Sequence, residues 1–176
     1  RDPMCEEKTE LCEICRLIGQ RVNYIGRAAN MLDLHFGEDV VRTTRLGIKT
    51  VGTYALHVQC PWRIINLAKK GMYFGSLDFY SPSSQVKAEA NFSYKDFDWD
   101  VQGKNLFDEK AAKWFAGLEG VTVTATKMNM FGDARIDLSN GDRIEIFVTA
   151  TDEGECWRLF LSGKSTTELI VNGDMG

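Results

Sequence analysis

The stretch "ARIDLSNGDRIEIFV", residues 134–148, constrains the fold more than any other part of the chain. Ile136 and Leu138 alternate with charged residues on one side of Asn140-Gly141, and Ile144, Ile146 and Val148 alternate on the other. Asn-Gly between two alternating runs is the strongest short hairpin signal in the chain. Slipping the pairing by one residue would send every apolar side chain to solvent, so the register is set as well. An antiparallel hairpin with one buried face follows.

Other segments carry the same signal. "RVNYIGRA" (21–28) and "MLDLHFG" (31–37) read as strands, the second closed by a turn at Gly37. "VVRTTRLGIKTVGT" (40–53) reads as a hairpin, and "TYALHVQC" (53–60) as a strand that Pro61 ends. "FSYKDFDWDVQG" (92–103), "VTVTATKMNM" (121–130), "CWRLFLSG" (156–163) and "ELIVNG" (168–173) complete the β-rich set, and "SPSSQ" (81–85) reads as a loop. Two segments have helical spacing instead. Residues 6–18 place Leu11, Ile14, Cys15 and Ile18 on one face, with Gly19 at the C-cap. Residues 106–117 place Phe107, Ala111, Trp114 and Phe115 on one stripe that Leu118 continues, with Asn105 as the N-cap. The expected class is α+β, mainly antiparallel β, with an N-terminal helix and one mid-chain helix covering sheet faces.

At 176 residues, 44% apolar and 26% charged, the chain is expected to form a single domain over 4–176. Arg1-Asp2-Pro3, before Met4, reads as an expression scar. No export signal and no apolar run of membrane-spanning length is found, so a cytoplasmic location and no membrane partner are expected. Five cysteines without an export signal are expected to be reduced. Cys12 and Cys15 form a C-x-x-C inside the first helix with no second pair to complete a zinc site, so neither metal nor cofactor is expected. Residues 1–88 hold 12 basic and 9 acidic side chains, and residues 89–176 hold 9 and 16. An acidic second half argues against a nucleic-acid partner and for a basic protein.

The two halves share an order of features. "LIGQRVNYIGRAANMLDLHFG" (17–37) runs parallel to "LEGVTVTATKMNMFGDARIDLSNG" (118–141), and "QCPWRI" (59–64) to "ECWRLF" (155–160). Pseudo-repeated halves over about 17–64 and 118–163 are the expectation. Each Trp-Arg pair then turns its tryptophan inward and its arginine outward, with Asp33 or Asp137 as acceptors. The segments "GRAANMLDLHFG", "YALHVQCPWRI", "DWDVQGKNLFDEK", "LSNGDRIEIF", "ECWRLF" and "ELIVNG" together resemble a family of small, uncharacterised bacterial cytoplasmic proteins. That resemblance implies no catalytic residues. Proteins of this size, class and charge are similar to immunity proteins that neutralise a toxin.

Phosphate-loop, dinucleotide-binding, nucleophile-elbow and H-E-x-x-H motifs are absent. "DFDWD" (96–100) is the most pointed remaining feature. Read as a strand, it aligns Asp96, Asp98 and Asp100 on one face, which a cation must answer. The spacing imitates a calcium loop, but Val101 and Phe107 stand where that loop needs Gly and Glu. The expected function is therefore a non-enzymatic protein-binding domain, with an immunity protein as its particular form. Its surface for a basic toxin is Asp96, Asp98 and Asp100 with Asp108 and Glu109 beside them. The rival is a metal-binding or hydrolytic enzyme using His35, His57 and Cys60 with aspartates. That rival requires the two histidine strands to pair.

Overall fold

The computed structural model describes residues 13–152, 154–163 and 167–174, and among them the chain is mainly antiparallel β with few helices. Ten strands run in order: β1 Val22–Ala28, β2 Met31–Thr44, β3 Gly47–Val58, β4 Trp62–Asn66, β5 Gly71–Gly75, β6 Val123–Met128, β7 Ala134–Leu138, β8 Asp142–Ile146, β9 Glu155–Leu161 and β10 Thr167–Asn172. They build two five-stranded sheets with orders β1-β2-β3-β9-β10 and β5-β4-β8-β7-β6. The inward residues of both sheets, from Leu32, Leu34 and Leu56 to Ile136, Ile144 and Trp157, belong to one core.

Each sheet is a three-strand meander extended by a hairpin from the other half of the chain. β1–β3 accept β9–β10, through Tyr54↔Leu161 to Val58↔Trp157, and β6–β8 accept β4–β5, through Trp62↔Ile146 to Asn66↔Asp142. The open sides between the sheets are covered differently. Helix α2, Leu106–Ala116, packs against the edge strands β1 and β5, and the 3-10 turn Glu13–Leu17 packs against β6 and β10. Asn105 Oδ1 caps α2 by accepting the Asp108 N–H at 2.8 Å. Trp114 of α2 donates its indole N–H to buried Asp142 at 2.9 Å, which ties the helix to the start of β8. Trp62 meets Phe74, Phe79 and Phe107 edge-on at 5.7, 5.8 and 5.7 Å, joining β4, β5, the 3-10 turn Ser76–Tyr80 and α2 in one aromatic cluster.

Several expectations are revised. β2 does not end at Gly37. The glycine takes φ +88° in a bulge, its N–H reaching Arg21 O at 2.8 Å, and the strand runs on to Thr44. The 81–85 loop gives way at Ser84 to a four-residue helix, α1 (Ser84–Lys87), with Ser83 Oγ accepting the Val86 N–H at 3.2 Å. Residues 92–103 are turns, not a strand, because no neighbouring strand offers them a ladder. Of the helix expected over 6–18, residues 13–17 form the 3-10 turn Glu13–Leu17 and exposed Ile18 follows in a turn, while residues 6–12 lie outside the described residues, as do the suspected scar, Cys5 and Cys12.

Candidate functional site

The five proposed contact carboxylates divide in two. Arg27 projects from β1 with its side chain only 1% exposed. Its guanidinium forks onto Asp108, Nε to Oδ1 at 2.8 Å and Nη2 to Oδ2 at 3.0 Å, and its Nη1 meets Asp100 at 3.2 Å. It also donates to the carbonyls of Ala29, Asp100 and Val101 at 3.0–3.4 Å. Arg27 thus answers Asp100 of "DFDWD" together with Asp108, and hydrogen bonding to Asp108 raises its pKa. Asp108 is filled by this pairing and by the Gly103 N–H at 2.8 Å. Glu109 accepts the N–H of Ser84 at 2.7 Å and its hydroxyl, and these bonds hold its carboxyl below the usual range. Asp96 and Asp98 face solvent, and Asp98 Oδ1 accepts the Asp100 N–H at 3.0 Å.

These turns carry more than charge. A shallow depression of about 290 Å³ is lined by Phe92, Phe97 and Val101 with Glu89, Asp96, Asp98 and Lys104. Tyr94 beside it is 69% exposed. Asn105 secures the loop from behind, its Nδ2 donating to Trp99 O at 3.0 Å.

The second cluster sits on the outer face of the β1–β2–β3–β9–β10 sheet. Cross-strand register places Gly26, Asp33, His57, Arg158 and Ile170 in one row, with Tyr24, His35, Ala55 and Phe160 in the next. Asp33 Oδ1 takes the Nε2 of both histidines, His35 at 2.9 Å and His57 at 3.1 Å. The Gly52 N–H donates to His35 Nδ1 at 3.3 Å, which leaves the proton of a neutral His35 on Nε2. Burial alone would raise the Asp33 pKa, but the hydrogen bonds and charges of His35 and His57 outweigh it and hold the carboxyl well below the usual range. The Tyr24 ring covers Gly26 and stands 5.0 Å from His35, and burial followed by the Asp33 and Asp108 charges raises its hydroxyl pKa.

So the structure joins His35, His57 and an aspartate, but not Cys60. Cys60 lies in the core, its thiol against Cys156, and burial pushes it up to about 12. Among the described residues no group of three or more His, Cys, Asp or Glu is disposed to hold a metal ion. The expected arginine pairings differ too. Arg63 meets Glu145 at 2.7 Å, Arg158 lies 3.5 Å from Glu155, and Asp137 is taken by Arg143 at 2.5 Å. The tryptophans face inward, Trp62 at 3% and Trp157 at 0% exposure. No family model matches the chain, and no curated protein or solved structure is significantly similar to it.

Proposed function

We propose that this chain is a non-enzymatic protein-binding domain that holds a basic partner on the turns between α1 and α2. The observation that carries the reading is the pairing of outward Asp96 and Asp98 with the apolar depression of Phe92, Phe97 and Val101. A lysine or arginine packs its stem on apolar surface while its head meets carboxylate, which is what such a depression provides. Arg27 and Asn105 hold the turns from behind, so little ordering is required on binding. Arg27, Ser84 and the capping bonds engage Asp108 and Glu109, so these two support the surface instead of touching the partner. A cytoplasmic toxin directed at nucleic acid has the basic chemistry required, which makes an immunity role the particular form proposed. Titration of a fluorescent Lys- and Arg-rich peptide tests the surface, with an acidic peptide of equal length as control. The Asp96→Asn/Asp98→Asn variant should lose at least tenfold in affinity, and unchanged affinity would remove the assignment.

We also propose that the halves are a pseudo-repeat, each a helical segment, a three-strand meander and a hairpin given to the other sheet. Matching hydrogen bonds support it: Gly37 N to Arg21 O and Ser139 N to Thr122 O, both 2.8 Å; Gln59 N to Cys156 O and Phe147 N to Pro61 O, 2.8 and 2.9 Å. This correspondence sets Trp62 beside Trp157, but Asp33 beside Arg135 and His35 beside Asp137, two residues off the alignment read from sequence. One sheet carries paired Arg63–Glu145 and Arg143–Asp137 where the other carries the Asp33–histidine cluster.

A further inference from the structure

The β2–β3 hairpin outruns its sheet. β1 pairs with β2 only as far as Phe36, and β9 pairs with β3 only as far as Tyr54. From Val40 to Val51 the two strands hold only each other, through Val40↔Val51, Val41↔Thr50, Arg42↔Lys49, Thr43↔Ile48 and Thr44↔Gly47. Five residues per strand, joined through Arg45 and Leu46, make an arm roughly 17 Å long. A two-stranded ribbon without a covering layer is marginal in water, and this one bears side chains that folding does not explain. Leu46 at its apex is 92% exposed, Ile48 75% and Val41 68%. Arg42 and Lys49 face each other across the ladder, where like charges destabilise. Among the described residues neither they nor Arg45 has a carboxylate within ion-pair distance. At the apex, Thr44 Oγ1 donates to Gly47 O at 2.9 Å and accepts the Leu46 N–H at 3.2 Å, so the tip has a defined shape.

We propose that this arm is a peripheral membrane contact that dips its tip into a bilayer surface rich in anionic phospholipid. Three observations select that occupant. The tip is convex, so it offers no pocket to a rigid partner, whereas a fluid interface closes around it. It combines exposed aliphatics with cations, the pair of features that interfacial segments use. The spacing also fits: the paired Arg42 and Lys49 stand four and three residues from Leu46, roughly 10 Å back along the strands. That puts them among the phosphates when Leu46 lies about 5–10 Å deep. Glu38 and Asp39 at the base stand a further roughly 10–15 Å back, more than the Debye length of about 8 Å at physiological salt. Salt therefore screens most of the repulsion between these two carboxylates and the phosphates when the tip engages. No helix among the described residues is long and apolar enough to cross a membrane, and peripheral contact needs none.

Duplex nucleic acid is less favoured, because three cations neutralise few phosphates against the net charge of −4. The test is co-sedimentation of the full chain with vesicles of 70% phosphatidylcholine and 30% phosphatidylserine, against vesicles of phosphatidylcholine alone. The wild type should sediment with the first and not the second, and release as salt rises. Leu46→Asp should lower binding at least tenfold while leaving the melting temperature unchanged, since the Leu46 side chain is almost wholly exposed. Arg42→Gln/Lys49→Gln should lower it roughly 25-fold, about fivefold per cation. No sedimentation by the wild type, or binding by Leu46→Asp equal to wild type, overturns the proposal. So does arm-dependent binding to a 20-base-pair duplex without binding to vesicles. The peptide titration of the 89–104 surface is independent of either result.

Discussion

Arg27→Ala removes a guanidinium that joins β1, the N-terminal turn of α2 and the turns at 99–101. The largest loss is the fork onto Asp108, whose side chain is 6% exposed and keeps no other cationic partner among the described residues. Breaking a buried pair by deleting one member costs about 3–5 kcal/mol, since the remaining charge is stranded. Asp108 retains the Gly103 N–H, which points to the lower end of that range. Asp100 adds little, because it is 56% exposed and well solvated. About 3 kcal/mol corresponds to a fall in melting temperature of about 6–12 °C for a domain of this size. Urea denaturation of the wild type, Arg27→Ala, Asp108→Asn and the double variant measures the coupling directly. The double variant should recover about 2 kcal/mol of the summed losses, and Arg27→Lys should rescue only in part because the fork is gone. A loss below about 1 kcal/mol for Arg27→Ala, or single losses that add within about 0.5 kcal/mol, would refute the reasoning.

Two further outcomes follow from the titrating groups. Asp33 has a folded pKa below its unfolded value of about 3.9, so its ionised form stabilises the fold above roughly pH 4 and that contribution fades as pH falls further. Asp33→Asn should therefore be less stable than wild type at about pH 5, with the gap closing as the pH falls below about 4; a gap that widens below about pH 4 in urea denaturation contradicts the assignment. Burial raises the pKa of both Cys60 and Cys156, which keeps them as protonated thiols. Mass-spectrometric mapping after brief iodoacetamide treatment at pH 8 should find both unmodified in native protein and both alkylated in urea, and rapid native labelling of either would show the thiol is accessible.

Local chemistry made much of the sheet architecture legible. Asn140-Gly141 and the alternation of Ile136, Leu138, Ile144 and Ile146 define β7 and β8, and Pro61 does separate β3 from β4. The inward turn of Trp62 and Trp157 follows from period-two geometry. Residues 92–103 misled for a physical reason: alternation reports a strand only where a neighbour exists to pair with, and "DFDWD" has none. The candidate site was half visible. The carboxylates demanded a cation, but Arg27 lies 81 residues from Asp108 in sequence, and nothing local marks it. The arm was hidden likewise, since "VVRTTRLGIKTV" shows a hairpin without showing that β1 and β9 stop short of it.

The exchange of hairpins between sheets bears on how the molecule is made. When β4 and β5 leave the ribosome, the strand they must join, β8, has yet to be synthesised, and β3 waits longer still for β9, with Tyr54 paired to Leu161. The nascent first half therefore carries two unsatisfied sheet edges through most of translation. Its early life depends on keeping those edges from one another and from other chains until the second half arrives.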